Sequence, residues 1–196
     1  MDFDTALPIA LWATTASATI VTYTSKSAWQ ASFGSWFTEP FDNSGLQPFT
    51  RRRTSAGAIS HNEWHDRVTR SGHESTTFRY RPGPLYGVGG QWDTSPAGEG
   101  QHLQLKINLT GGGRQTVGEI GPIDGFFGWT STLPFNSFRI WAGNGSGSAE
   151  TFDLDNLKFA TTPPVATPEP GTLALVGTGL VGLGALRRKW LARRQR

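Results

Sequence analysis

Histidine and carboxylate side chains crowd together at His61-Asn62-Glu63-Trp64-His65-Asp66. On a helix His61 and His65 would stand one turn apart; on a strand His61, Glu63 and His65 would share a face. Either arrangement offers imidazole and carboxylate donors to a transition metal, the equipment of a metal-dependent hydrolase. The order departs from HExxH, in which Glu directly follows the first His. Trp64, Val68 and Thr69 favour a strand, whose polar side would then be a solvated face. Glu39, Asp42, Asp153 and Asp155 form a second set, oxygen donors suited to a hard cation. The tryptophans form a third. Trp64, Trp92, Trp129 and Trp141 exceed the evident needs of one core, and aromatic faces stack well on sugar rings. Core packing is the competing use, and the stronger one for Trp92 and Trp129. Trp141 lies opposite Phe138 and Ile140 in strand alternation, which turns it outward.

Other chemistries find no support. The chain has no cysteine, so disulfides, thiolate metal sites and cysteine nucleophiles are excluded. There is no GxSxG, and Gly87-Val88-Gly89-Gly90 sits within a strand with no helix after it, unlike a phosphate-binding loop. No pair of acids stands out for glycoside hydrolysis. Arg51-Arg52-Arg53 is either a contact for an anionic polymer or, more commonly for such a run, a solvated loop.

The elements that must position these groups are mostly strands. With 196 residues, 36% hydrophobic and 17% charged, 25 Gly and 12 Pro, the chain suits one domain rich in turns. Residues 26–34 read as one short helix, with Trp29 and Phe33 on its apolar side. Strands are expected at 54–60, 62–69, 75–81, 85–92, 102–109, 114–120, 124–130, 136–142 and 150–159. Gly-rich turns separate them at 96–100, 110–113 and 143–148. His102–Leu109 alternates cleanly. In 152–159 strict alternation would put Asp153 and Asp155 on the same side as Leu157 and Phe159, where a buried carboxylate needs a counter-charge. The fold class expected is all-β, an antiparallel β-sandwich of jelly-roll type with one short N-terminal helix and a single C-terminal transmembrane helix. In such modules an early acid and one on the last strand often meet at a structural calcium; Asp155, with Glu39 or Asp42 as partner, fits that pattern.

The pI is about 9.6, yet the basicity is local. Arg187, Arg188, Lys189, Arg193, Arg194 and Arg196 crowd the last ten residues, whereas residues 19–162 hold 12 basic and 12 acidic side chains. A neutral body argues against a nucleic-acid partner.

The two ends read as addresses. An apolar run from Ala6 to Ala13, followed by Ala16-Ser17-Ala18, fits a removable signal peptide over 1–18, although Asp2 and Asp4 stand where basic residues are usual. The body then spans 19–160. Residues 161–170, TTPPVATPEP, form an extended proline-rich linker. Residues 171–190 combine a glycine-bearing apolar helix with the stop-transfer cations Arg187, Arg188 and Lys189, and 191–196 form a cytoplasmic basic tail. At about 1.5 Å per residue the apolar run is short for a bilayer, and snorkelling cations make up the difference.

Pro168-Glu169-Pro170, the apolar helix and the basic cluster, in that order, resemble the PEP-CTERM sorting signal of Gram-negative bacteria that make extracellular polysaccharide. That tail is also known as an ice-binding protein C-terminal domain, though no regular threonine array is present. The resemblance implies recognition and cutting by an exosortase, a membrane transpeptidase-like enzyme. It implies anchoring in the inner membrane with the C-terminus cytoplasmic, then release or transfer to the cell surface. The body is similar to a class of PEP-CTERM passenger domains at Gly89-Gly90-Gln91-Trp92-Asp93, Phe126-Phe127-Gly128-Trp129, Leu133-Pro134-Phe135 and Glu150–Asn156. This implies a jelly-roll module related to carbohydrate-binding ones, with no catalytic residues. The expected function is a non-enzymatic structural or adhesive surface or matrix protein. A module binding exopolysaccharide, with Trp141 as a contact, is the first alternative, and a metal-dependent hydrolase at His61, Glu63 and His65 the second. Beyond a possible structural calcium, no cofactor is expected.

Overall fold

Strand β1 (Ile20–Tyr23) leads into α1 (Lys26–Ala31), the one helix among the described residues. Ser25 starts the helix, its hydroxyl accepting the Ala28 N–H at 3.3 Å, so one orphan donor of the first turn is met. The expected helix runs to residue 34; the observed one stops at Ala31, and Phe33 bends out of it towards the sheet. The computed structural model describes residues 17–42, 45–54, 56–94, 102–143 and 149–165. The sorting motif Pro168-Glu169-Pro170, the expected transmembrane helix and the cations Arg187, Arg188 and Lys189 lie outside these residues, as does the expected signal peptide up to residue 16. Among the described residues no helix is long and apolar enough to cross a membrane. The chain divides into two units, Met1–Pro164 and Val165–Arg196; the account below concerns the first. Within it the Ala18 N–H donates to Gln115 Oε1 at 2.9 Å.

The remaining strands are β2 (Phe37–Glu39), β3 (Thr50–Arg53), β4 (Ala58–Ser60), β5 (Glu63–Thr69), β6 (Thr76–Tyr80), β7 (Leu85–Asp93), β8 (Leu103–Leu109), β9 (Arg114–Ile120), β10 (Asp124–Ala142) and β11 (Ala149–Ala160). All pairings are antiparallel. Two strands expected at 124–130 and 136–142 are one, β10, with Pro134 in its middle and a register shift between Phe135 and Ser137. Proline is tolerated at such an irregularity. The first half of β10 pairs with β1 and β7, the second half with β6 and β8. This strand therefore joins two layers of an all-β antiparallel sandwich. The first layer holds β1, β10, β7 and β11, with β2 and β5 beyond β11 and β4 beyond β5; the second holds β3, β6, β10, β8 and β9.

The core between the layers is aromatic. Trp64 meets Phe78 at 5.5 Å, Tyr80 meets Phe159 at 5.4 Å, and Trp129 stands edge-on to Phe138 at 5.1 Å. Trp92 is enclosed there as well, its indole N–H donating to the Phe127 carbonyl at 3.0 Å. A smaller apolar cluster covers the outside of the first layer, where Trp29 and Phe33 pack with Phe126. Gly87, Gly89 and Gly128 make room for it. A Cβ at Gly87 would stand 2.3 Å from Phe33 Cζ, and one at Gly128 2.9 Å from Trp29 Cδ1. Glycine within these strands thus marks close approach of the helix.

Two expectations of regular alternation fail. His61 and Asn62 are a tight turn, with φ of 53° and 66°, closing the two-residue hairpin in which Ser60 pairs with Glu63. Successive left-handed residues are what such a turn requires. In β11, Asn156 has φ of 51° and the register with β7 shifts between Asp155 and Lys158. This bulge resets the alternation. Phe152, Leu154, Leu157 and Phe159 all turn inward, and Asp153 and Asp155 are only partly covered.

Candidate functional site

Charge is divided between the layers. Strands of the first layer carry the acids Glu39, Glu63, Asp66, Asp93, Asp124, Glu150, Asp153 and Asp155, against Arg67 and Lys158. Strands of the second carry Arg51, Arg52, Arg53, Arg79, Lys106, Arg114 and Arg139, against Glu119. The neutral total of the body therefore conceals a basic face.

That face is built by register. Phe78, Phe138, Ile140, Leu105 and Ile107 point into the core, so their alternate neighbours point out. Across the strands Arg53 pairs with Thr77, Thr77 with Arg139, Arg139 with Lys106, and Lys106 with Thr116. The adjacent row runs Arg51, Arg79, Ser137, Asn108, Arg114. Arg51-Arg52-Arg53, read from sequence as a solvated loop, is thus most of a strand. Arg139 faces Lys106, and Arg51 faces Arg79; like charges directly opposed destabilise a sheet.

A groove of about 900 Å³ opens on this face. Its cations are Arg53, Arg70, Lys106, Arg114 and Arg139, and among the described residues no carboxylate lines it. Trp141, half-buried, stands in its wall, and the His73 imidazole also lines it. Lys106 Nζ lies 4.6 Å from the indole centroid and Arg139 Cζ 5.9 Å, within range of attraction to the ring face. Arg139 is held in place: Nε donates to Ser75 Oγ at 3.1 Å and Nη2 to the Gly72 carbonyl at 2.8 Å. Gly72 has φ of 73° in the turn between β5 and β6, a conformation that favours glycine. Asn108 Nδ2 donates to Ser137 Oγ at 2.7 Å on the groove floor. The ion pairs among the described residues are Arg67 with Glu74 and His65 with Asp153, and neither uses a cation of the groove.

The other expected site residues are placed differently. Trp64, Trp92 and Trp129 are core residues. Glu39 is buried, its carboxylate accepting the N–H of Gln47 at 2.8 Å and of Phe41 at 3.3 Å. These bonds satisfy the carboxylate by folding the following loop over it. Asp42 is exposed. Asp155 accepts the Asn156 N–H at 2.6 Å, in the bulge. Among the described residues, Glu39, Asp42 and Asp155 do not form a group of three converging metal donors. One such group exists. Glu63, His65 and Asp153 offer ligand atoms all within 4.8 Å of one another. Asp153 stands opposite His65 on β11 and pairs with its Nδ1, while His65 Nε2 and the Ser60 carbonyl are 2.7 Å apart. His61, drawn into the turn, is replaced in the expected trio by Asp153, which only the strand register could reveal.

One buried acid belongs to the scaffold. Asp66 faces the core edge, its carboxylate bound by the hydroxyls of Thr54 and Thr76 and by the Arg67 N–H. Burial pushes its carboxyl up from 3.8 to about 6, against the lowering effect of those bonds.

Residues 166–189 match the family model of the PEP-CTERM protein-sorting motif. The chain carries a PEP-CTERM sorting signal. This motif supports export and sorting through an exosortase, and it covers the Pro168-Glu169-Pro170 and Arg187-Arg188-Lys189 elements. No curated protein matches this chain in sequence. Its fold is similar to that of family 29 carbohydrate-binding modules. A CBM29-2 mutant complexed with mannohexaose superposes with a TM-score of 0.51 at 11% identity, over 66% of this chain and 93% of that one. A CBM29-2 mutant complexed with cellulohexaose gives 0.50 at 11% identity, over 66% and 92%. A family 29 module bearing a different substitution gives 0.51 at 11%, over 69% and 98%.

Proposed function

We propose that this is an exported, exosortase-sorted surface protein whose β-sandwich binds polysaccharide in the groove at Trp141. The observation that carries the reading is the setting of that side chain. Trp141 is turned out of the core into a polar groove whose lining presents hydroxyl, amide and cationic donors. An indole beside polar donors suits a sugar ring, which offers an apolar C–H face and a polar edge. The fold it shares with modules solved with mannohexaose and cellulohexaose adds support for a binding rather than catalytic role. In this reading the tail 171–190 holds the protein in the inner membrane until an exosortase acts near Pro168-Glu169-Pro170. The sandwich then serves as an adhesive or structural element at the cell surface or in the matrix.

The test is affinity electrophoresis of the full chain in non-ionic detergent through gels containing soluble polysaccharides of varied composition. Retardation by at least one polysaccharide, lost in Trp141→Ala, is expected. Equal retardation of the Trp141→Ala protein, or none of the wild type in any gel, would refute the assignment of the groove.

A further inference from the structure

Resting on that reading, we infer that the groove takes an acidic polysaccharide, one with carboxylate or sulfate groups along its length. Three observations point there. First, Arg53, Arg70, Lys106, Arg114 and Arg139 converge on one groove that no carboxylate lines among the described residues. A neutral glycan gains little from such a concentration of charge. Second, the charges are arranged at cost to the fold. Arg139 and Lys106 are directly opposed in the ladder, and like charges in that relation repel. A bound polyanion removes the repulsion. Third, the cations run across the sheet in series. From Arg53 on β3, past Thr77 on β6, to Arg139 and Lys106 the row crosses strands about 4.8 Å apart, so an extended anionic chain lying across the strands passes three cations, the last two on adjacent strands.

The local geometry assigns roles. Arg139 is oriented by Ser75 and Gly72 and presents a fixed guanidinium, which binds carboxylate or sulfate through paired N–H groups. Lys106 is a mobile point charge resting against Trp141; an acidic sugar stacking on the indole draws its ammonium onto the acid group. Nucleic acid fits less well. Single strands are gripped by several aromatic side chains in series, whereas the described lining of this groove offers one tryptophan and the His73 imidazole. Duplex recognition needs an element that enters a groove of the DNA, whereas here the sheet itself is grooved.

The probes are alginate and polygalacturonate as acidic chains, glucomannan and hydroxyethyl cellulose as neutral ones, and a mixed-sequence DNA oligonucleotide. Each is titrated against the full chain in detergent by calorimetry. Expected are at least tenfold tighter binding to an acidic chain than to the neutral ones, and a fall of at least tenfold between about 50 mM and about 500 mM salt. Lys106→Gln with Arg139→Gln is expected to lose at least tenfold in affinity for the acidic chain while melting at an equal or higher temperature, because the opposed pair is relieved. Neutral chains bound as tightly as acidic ones, with Trp141 still required, would overturn this inference and leave the polysaccharide reading standing. Binding to none of the glycans would overturn both. Tighter binding to DNA than to alginate or polygalacturonate would overturn the inference in favour of a nucleic-acid partner. If the double variant is unstable, the salt series and the acidic-to-neutral ratio of the wild type decide the matter alone.

Discussion

Replacing Gly89 by alanine tests why glycines interrupt the strands of the first layer. The backbone is not the obstacle, since Gly89 is not among the positive-φ glycines and alanine would by itself stiffen the unfolded chain to advantage. The obstacle is space. A Cβ there would stand 2.7 Å from Phe126 Cζ and 3.3 Å from Trp29 Cδ2, closer to Phe126 than Cβ atoms are found. Overpacking of this kind costs about 1–3 kcal/mol, which outweighs the entropic gain of about 0.4–1 kcal/mol. The offending atom belongs to a side chain, so the clash is removable. Phe126→Leu deletes the ring edge and alone costs about 1–2 kcal/mol in lost burial. The double variant is expected to be more stable than the sum of the single effects by about 1 kcal/mol. Urea unfolding of the four proteins, followed by tryptophan fluorescence, measures the coupling. Strict additivity, or a Gly89→Ala protein as stable as the wild type, would refute the view that these glycines exist to seat the helix.

Other outcomes follow from particular residues. Asp66 holds its proton more tightly folded than unfolded, with a carboxyl at about 6 against 3.8. Protonation therefore stabilises the fold, fully below the unfolded value, and that gain is lost as the pH rises through about 6. Asp66→Asn keeps an acceptor for the threonine hydroxyls, gives up the bond from the Arg67 N–H and removes the buried charge. It is expected to be more stable than wild type by about 1–3 kcal/mol at neutral to alkaline pH, with the difference shrinking on acidification towards pH 4; urea midpoints across that range show the convergence or its absence. Phe33→Leu paired with Gly87→Ala should show the same compensation as the Gly89 cycle, because a Cβ at Gly87 meets Phe33 Cζ at 2.3 Å. The intact mass of the protein recovered from its native host is expected to fall short of the full chain by the residues after the Pro168-Glu169-Pro170 region; a surface form still bearing Arg196 would contradict processing.

Local signals made much of this molecule legible. Alternation in 102–109 marked Leu103, Leu105 and Ile107 as core and Lys106 as surface, and the same logic turned Trp141 outward. The tail was legible because its elements are contiguous in sequence and each has its own chemistry. What could not be read depends on partners far along the chain. Asn156 breaks the alternation of β11 with one left-handed residue, so the two acids before it lost the buried setting that strict alternation gave them. Asp153 reaches His65 only because β11 pairs with β5, and His61 leaves the trio because the hairpin needs it in the turn. The basic groove was invisible for the same reason. Twelve bases balance twelve acids in the body, and only the order of strands sorts them onto opposite layers. Arg53, Arg139 and Lys106, scattered over the sequence, come into one row through three strand pairings.

The most direct test of polysaccharide binding in this groove is the indole N–H signal of Trp141 in a two-dimensional NMR titration with an acidic hexasaccharide. Trp141→Phe identifies the peak among the eight tryptophans. The account predicts that this peak shifts on binding while those of Trp29 and Trp64, enclosed in the two apolar clusters, stay in place. A ligand that binds with the Trp141 peak unmoved would place recognition elsewhere on the sandwich and contradict the account.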